Sequence, residues 1–235
     1  ERVRSLLLYL VVHGPSHREQ IIDALWPHLD LRAADRNLRV TLSYLNQVLE
    51  PARQNGEAPF FIRQTGPTLV LAGHSDLDID RDRFEALLEQ ADDADRRGLP
   101  SVALEILERA LELWRGPCLS EVAYEEWAQT SCRELTVRYV SAALRVSELH
   151  LAAGRTGRAT DWARRALAAD EWNEPAYRLL IASALARGDA CAAMRALEAC
   201  HAALAELGIP PGPQTEMLRR RLVDLTPGLG DSAIA

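Results

Sequence analysis

A spacing of 34 residues in the second half of the chain constrains its fold more than any other feature. Gly154 and Gly188 are 34 residues apart. The residues five and twelve positions after each glycine are small as well: Ala159, Ala166, Ala193 and Cys200. A glycine at a turn and small residues where two paired helices cross closely, repeated every 34 residues, are typical of tetratricopeptide-like repeats. The pattern predicts a mainly α-helical fold for this half.

An earlier glycine, Gly98, is followed by Ala103 and Ala110 at the same two offsets. It lies 56 residues before Gly154, so an irregular segment around residues 114–119 is expected to interrupt the array. We therefore predict two regular repeats and a degenerate first one. A stiff Pro- and Gly-rich segment over residues 208–213 precedes a last helix, which we expect to begin at Thr215 and to cap the array.

The first residues of the chain carry the apolar spacing of amphipathic helices. One helix is predicted from Val3 until the turn at Gly14 and Pro15. A second helix is predicted to begin at Ser16, with Glu19 completing a capping box and Pro27 ending the helix.

A third helix is predicted over residues 33–49, with leucines along one side. Two short apolar runs, residues 60–63 and 68–71, are separated by the turn signal of residues 64–67 and predict a β-hairpin. Three helices followed by a hairpin are the element order of a winged helix-turn-helix.

The strand signals end near Asp76, so we place a boundary between residues 74 and 80. Three regions follow from it: residues 1–75 as a winged helix-turn-helix DNA-binding domain, residues 76–225 as the helical-repeat domain, and residues 226–235 as a poorly ordered tail. The net charge of −7 is unevenly divided, with +1 on residues 1–75 and −8 on the remainder. Because DNA affinity depends on Arg and Lys contacts to phosphate, only the first region is a candidate for DNA binding.

Several classes of protein are disfavoured by what the sequence lacks. No run approaches the roughly 18 apolar residues of a membrane span, and the first residues do not resemble a signal peptide, so we expect a cytoplasmic protein. The four cysteines have no C-x-x-C spacing and the histidines have no metal-ligand spacing. Neither a P-loop, a G-x-G-x-x-G motif nor a G-x-S-x-G elbow is present. We predict no enzyme activity, no cofactor and no metal.

Four runs resemble a known family of regulators. Residues 24–27 (Ala-Leu-Trp-Pro) and 36–45 are similar to the DNA-binding domain of the Streptomyces antibiotic regulatory protein family. Residues 110–117, which include Leu-Trp-Arg-Gly-Pro, and residues 204–210 are similar to the bacterial transcriptional activator domain that follows it in that family. The resemblance implies sequence-specific binding to promoter DNA and activation of transcription through contacts to RNA polymerase. It also implies a small sheet before the first helix, which we expect outside this sequence or elsewhere in the parent protein.

The candidate DNA-binding residues lie on three segments. On the third helix, the side opposite the leucines carries Arg36, Arg39, Val40, Ser43, Tyr44 and Gln47. The two arginines could bind guanine through two hydrogen bonds or hold a phosphate. Ser16 and Arg18, at the start of the second helix, could contact phosphate. Arg63 and Thr65, near the hairpin tip, could reach a neighbouring phosphate or the minor groove. The alternative is that these side chains form an ordinary solvated surface.

Two functions therefore remain open. The first is a DNA-binding transcriptional regulator, with activation as the expected direction, whose helical-repeat domain contacts RNA polymerase or forms a homodimer. The second is a protein-interaction output module of a larger signalling protein, in which the winged helix no longer binds DNA.

Overall fold

A computed structural model describes residues 1–54, 56–72 and 77–225 of the chain. These residues form two compact units: residues 1–79 with 117–135, and residues 80–116 with 136 onward. The expected tail, residues 226–235, lies outside the described residues. The structure confirms the predicted fold class, because a winged helix with a short hairpin and an array of paired helices are both present.

The first unit has the element order of a winged helix. Its elements are α1 (Arg2–His13), β1 (Ser16–His17), α2 (Arg18–Leu25), α3 (Leu31–Leu49), β2 (Ile62–Thr65) and β3 (Thr68–Leu71). The three strands form one antiparallel sheet in the order β1-β3-β2, with Ser16 opposite Leu69 and Ile62 opposite Leu71. The predicted hairpin is present, and β1 is a strand that the sequence pattern did not predict.

The prediction that Ser16 begins the second helix is wrong by two residues. Ser16 lies in β1, and α2 begins at Arg18 with His17 as its N-cap. The His17 ring accepts a hydrogen bond from the Glu19 amide, and the Gln20 side chain accepts one from the His17 amide. The capping box is therefore present one residue later than predicted, because a two-residue strand is too short to leave an alternating pattern.

The first unit's core explains its apolar spacing. The three helices and the strands β2 and β3 contribute fully or almost fully buried side chains: Leu6, Leu10, Ile21, Leu25, Leu38, Leu45, Ile62 and Leu69. On the helices these residues are four or seven positions apart, so each helix turns one side toward a common centre. The opposite sides of α2 and α3 carry exposed side chains, whereas residues 5–12 of α1 are all buried or half-buried.

The second unit is built from paired helices. They are α4 (Asp80–Arg96), α5 (Pro100–Glu112), the later part of α6 (Glu126–Ala152), α7 (Thr156–Ala169), α8 (Glu174–Ala186), α9 (Ala190–Glu206) and α10 (Pro213–Leu225). The last helix begins two residues before the predicted Thr215.

The predicted repeat is confirmed at the level of single residues. Gly98, Gly154 and Gly188 lie in the turns that join α4 to α5, α6 to α7 and α8 to α9, and their φ angles of 69°, 72° and 73° favour glycine. The small residues at the two fixed offsets are all 0% exposed: Ala103, Ala110, Ala159, Ala166, Ala193 and Cys200. Small side chains at these positions let paired helices approach closely.

Part of the sequence between the first and second repeats, residues 117–135, packs within the first unit. Residues 117–135 contain a short 3-10 helix and the start of α6. Trp127 packs against the winged-helix core, with its ring edge-on to Tyr9 at 5.4 Å between centroids. Arg2 and Arg4 on α1 form ion pairs with Glu125 (3.1 Å) and Glu121 (2.6 Å) of the same segment. The first unit is thus made of two stretches of sequence, whereas the sequence pattern indicated one.

Candidate nucleic-acid interface

The helix α3 has one buried and one exposed side. The Asp30 side chain caps its first turn by accepting a hydrogen bond from the Ala33 amide at 2.9 Å, so the helix begins at Leu31. Ala34, Leu38, Thr41 and Leu45 form the buried side. The six predicted contact residues of this helix are all exposed: Arg36, Arg39, Val40, Ser43, Tyr44 and Gln47.

A groove of about 860 Å³ runs beside α3 in the first unit. Its lining residues come from α3, the start of α2, the loop after α3 and the hairpin: Arg18, Arg39, Leu42, Ser43, Asn46, Arg53, Ala58, Pro59, Phe60, Ile62, Arg63, Gln64, Thr65 and Leu69. Five of the ten predicted site residues meet here, namely Arg18, Arg39, Ser43, Arg63 and Thr65. The four remaining predicted residues of α3 lie on its exposed side without lining the groove: Arg36, Val40, Tyr44 and Gln47.

Arg53 is a groove residue that the sequence did not single out. Its guanidinium donates a hydrogen bond to the Glu57 carbonyl at 2.6 Å. The loop that carries it is closed by Glu50, whose carboxylate accepts the amides of Phe60 at 2.9 Å and Phe61 at 3.0 Å. Because Arg53 lies in a loop without periodicity, only the folded loop places it beside the hairpin.

Asp35 holds two of the four groove arginines. Its carboxylate is 2.7 Å from the Arg18 guanidinium and 2.5 Å from that of Arg39, one turn along α3. The hydrogen bond from Arg18 is the main cause that holds the pKa of Asp35 below its ordinary value. The carboxylate therefore stays ionised and neutralises part of the positive charge of the groove.

The start of α2 is less available to a ligand than predicted. Ser16 is only 4% exposed, and its hydroxyl donates to the Gly14 carbonyl at 3.0 Å. The Arg18 amide donates to the Pro67 carbonyl at 2.9 Å. Since the Glu19 amide already donates to the His17 ring, two of the first amides of this helix have acceptors within the protein.

The hairpin tip presents polar side chains on a tight turn. Gly66 has a φ of 59° at the first position of the two-residue loop, where a type II′ turn requires glycine. The Arg63 guanidinium lies 5.5 Å above the centre of the Phe60 ring and donates to the Phe60 carbonyl at 3.3 Å. Arg63 and Thr65 are both exposed, so the ring orients an arginine that remains accessible.

No group of three or more His, Cys, Asp or Glu residues within residues 1–54, 56–72 and 77–225 could hold a metal ion. In that same part of the chain, no helix is both long and apolar enough to cross a bilayer.

The fold and the groove define a winged helix-turn-helix protein with a tetratricopeptide-like second unit. The family model of the bacterial transcriptional activator domain matches residues 79–223, more than half of the sequence. The chain belongs to this family.

The chain is also similar to proteins that are named as transcriptional regulators. The chain is 24% identical over 210 residues to the transcriptional regulatory protein MoaR1 of Mycobacterium tuberculosis, covering 89% of this chain and 67% of MoaR1. The protein of the same name from Mycobacterium bovis matches equally. A solved structure of Mycobacterium tuberculosis EmbR in complex with a low affinity phosphopeptide superposes with a TM-score of 0.81 and 25% identity. That likeness covers 96% of this chain but 60% of the EmbR chain, less than two thirds of its length.

These similarities confirm the resemblance to the Streptomyces antibiotic regulatory protein family that the sequence motifs predicted. The winged helix followed by a bacterial transcriptional activator domain is the architecture of a regulator of that type.

Proposed function

We propose that this chain regulates transcription, with activation as its direction, by binding promoter DNA through α3 and the groove beside it. The observation that carries the proposal is that four arginines from separate segments line one groove: Arg18, Arg39, Arg53 and Arg63. The family assignment and the regulatory relatives support the same reading.

In this proposal α3 enters the major groove. The major groove of B-DNA, about 12 Å wide, admits an α-helix, and the second helix of a helix-turn-helix places its exposed side against the base edges. The four arginines of the protein groove then face the phosphates that flank the bases. Because Arg39 already contacts Asp35, a phosphate oxygen must compete with that carboxylate.

A single copy supplies few phosphate contacts. Four arginines, two of them shared with Asp35, support only weak binding at physiological salt. We therefore propose that two copies bind neighbouring half-sites, because joining two weak contacts raises the overall affinity. Sedimentation of the chain with duplexes carrying one or two half-sites would measure this, and only the two-site duplex should form a 2:1 complex.

The second unit is proposed to contact RNA polymerase. Residues 76–235 carry a charge of −8, which disfavours DNA as the ligand of this region, whereas helical repeats provide extended surfaces for proteins. The proposal assigns no catalytic activity and places the chain in the cytoplasm, where bacterial promoters are transcribed. Co-sedimentation of the full chain with purified RNA polymerase, with and without promoter DNA, tests the contact.

DNA binding is tested by selecting duplexes from a random-sequence library and titrating them by fluorescence polarisation. Combining Arg39→Ala with Arg63→Ala should weaken binding about tenfold or more, because two phosphate contacts are lost. The matched control combines Arg164→Ala with Arg195→Ala, which removes two exposed arginines of α7 and α9. Equal affinity of both double variants, or failure to select any duplex, would contradict the proposal.

A further inference from the structure

Three large, exposed side chains form a row along α3. Val40, Tyr44 and Val48 follow one another at four-residue intervals and are 55%, 58% and 70% exposed. Residues four apart on a helix lie on the same side, and the buried residues of α3 occupy the other side. Single exposed apolar residues are ordinary, but a row of them on one helix favours a binding partner.

The charges around this row indicate the chemistry of the partner. Arg36 continues the row by one turn toward the helix start and has no ion pair or hydrogen bond among the described residues. Arg39, three residues after Arg36 on the same helix, and Arg63 on the hairpin line the adjoining groove. A partner that fits both features carries dense negative charge and presents apolar groups between its charges.

DNA that contains thymine fits this description. The C5-methyl group of thymine is the apolar group that base edges present in the major groove, and phosphates border it on both sides. A second copy of this chain fits less well, because it would bring another Arg36 toward the same cationic surface.

We infer that Val40 and Tyr44 contact thymine C5-methyl groups, while Arg36 binds a guanine through its O6 and N7 atoms. This inference rests on the proposed function and adds the base preference of the site. Arg36 and Tyr44 are separated by eight residues, a rise of about 12 Å along a helix. Base pairs are stacked about 3.4 Å apart, so the guanine and the thymines lie within about four base pairs of one another.

The test uses duplexes selected by this chain and replaces each thymine in turn by deoxyuridine, which removes the methyl group alone. Replacement at one or two positions should weaken binding about fourfold, the factor expected for burial of one methyl group. At one of these positions, the Val40→Ala variant should discriminate less between the thymine and uracil duplexes than the wild type does. At another of these positions, the Tyr44→Ala variant should show the same reduced discrimination. Val137→Ala, which shortens an exposed valine of α6, should keep the full discrimination.

Three results overturn the inference while leaving DNA binding intact. The first is that the selected half-sites contain no thymine. The second is that replacing thymine by uracil does not change the affinity. The third is that Val40→Ala loses the same affinity for thymine and uracil duplexes. If Val40→Ala and Tyr44→Ala instead weaken self-association without DNA and leave thymine discrimination unchanged, the row is a protein interface. Failure of the wild-type chain to bind any selected duplex contradicts the proposed function itself, which is a distinct outcome.

Discussion

The Asp35 carboxylate lies 2.7 Å from the Arg18 guanidinium and joins the start of α2 to α3. The same carboxylate contacts Arg39. In a helix-turn-helix, this arrangement fixes two arginines near the predicted DNA surface and at the same time lowers their capacity to bind phosphate.

Replacing Asp35 by Asn should therefore strengthen binding to DNA. The change releases Arg18 and Arg39 for phosphate and removes a negative charge from the interface, so we expect affinity at low salt to rise several-fold. Asp23→Asn is the matched control, because it removes an exposed carboxylate of α2 without releasing an arginine. Polarisation titrations of both variants would measure the effect, and a larger gain for Asp23→Asn would contradict the assigned role of Asp35.

The ion pair of Asp95 and Arg145 should make the stability of the second unit depend on pH. Arg145 donates two hydrogen bonds of 2.8 Å to the Asp95 carboxylate and thereby holds the pKa of Asp95 below its ordinary value. A lowered carboxyl pKa stabilises the folded state above the unfolded pKa of about 4, and this contribution is lost as the pH falls below that value.

Asp95→Asn should lower the free energy of unfolding by about 1 kcal/mol at pH 7, as expected for a partly exposed pair with good geometry. The difference from the wild type should shrink as the pH falls below about 4. Asp92→Asn on the same helix removes an exposed carboxylate and serves as the control. Urea unfolding at several pH values measures the free energy of unfolding of both variants. A difference between Asp95→Asn and the wild type that persists unchanged at low pH would refute the prediction.

Two nearby glycines should respond in opposite directions to alanine. Gly154 has a φ of 72° in the turn before α7, so Gly154→Ala should destabilise the protein by about 1 kcal/mol or more. Gly157 lies within α7 and no atom is within 4 Å of an added Cβ, so Gly157→Ala should stabilise by up to about 1 kcal/mol. Thermal unfolding measures the stability of the two variants relative to the wild type. If Gly154→Ala stabilised the protein, Gly154 would not have the positive φ assigned to it in this turn.

Two cysteines of α9 should differ strongly in reactivity. Cys191 is exposed, whereas Cys200 is buried at a helix crossing, and burial raises the pKa of its thiol to about 11. The thiolate is the reactive form, so at pH 8 iodoacetamide should modify Cys191 rapidly and Cys200 only after the protein opens. Peptide mass spectrometry over time separates the two sites. Equal rates in the folded protein would mean that Cys200 is not packed as described.

The repeat array could be predicted from sequence because close helix crossings permit few residue types. Ala159 and Ala166 are fully buried, and larger side chains there would force the paired helices apart. The same reasoning located the exposed side of α3, since the leucines opposite Arg36 and Arg39 are spaced for burial.

Contacts between distant parts of the sequence could not be predicted in this way. The packing of Trp127 against Tyr9 joins residues far apart in the chain and leaves no periodic signal. Arg53 reaches the groove only because Glu50 binds the amides at the start of the hairpin. Ser16, placed by pattern at a helix start, is buried in a strand whose two residues are fixed by pairing with β3.

The salt dependence of DNA binding tests the central claim most directly. Dissociation constants for one selected duplex should be measured between 50 and 200 mM salt for the wild type and for Arg39→Ala, Arg53→Ala and Arg63→Ala singly. If these arginines neutralise phosphates, each substitution should reduce the slope of log affinity against log salt by about 0.9, and Arg164→Ala should leave it unchanged. Slopes that stay the same in all three groove variants would contradict DNA binding through this surface.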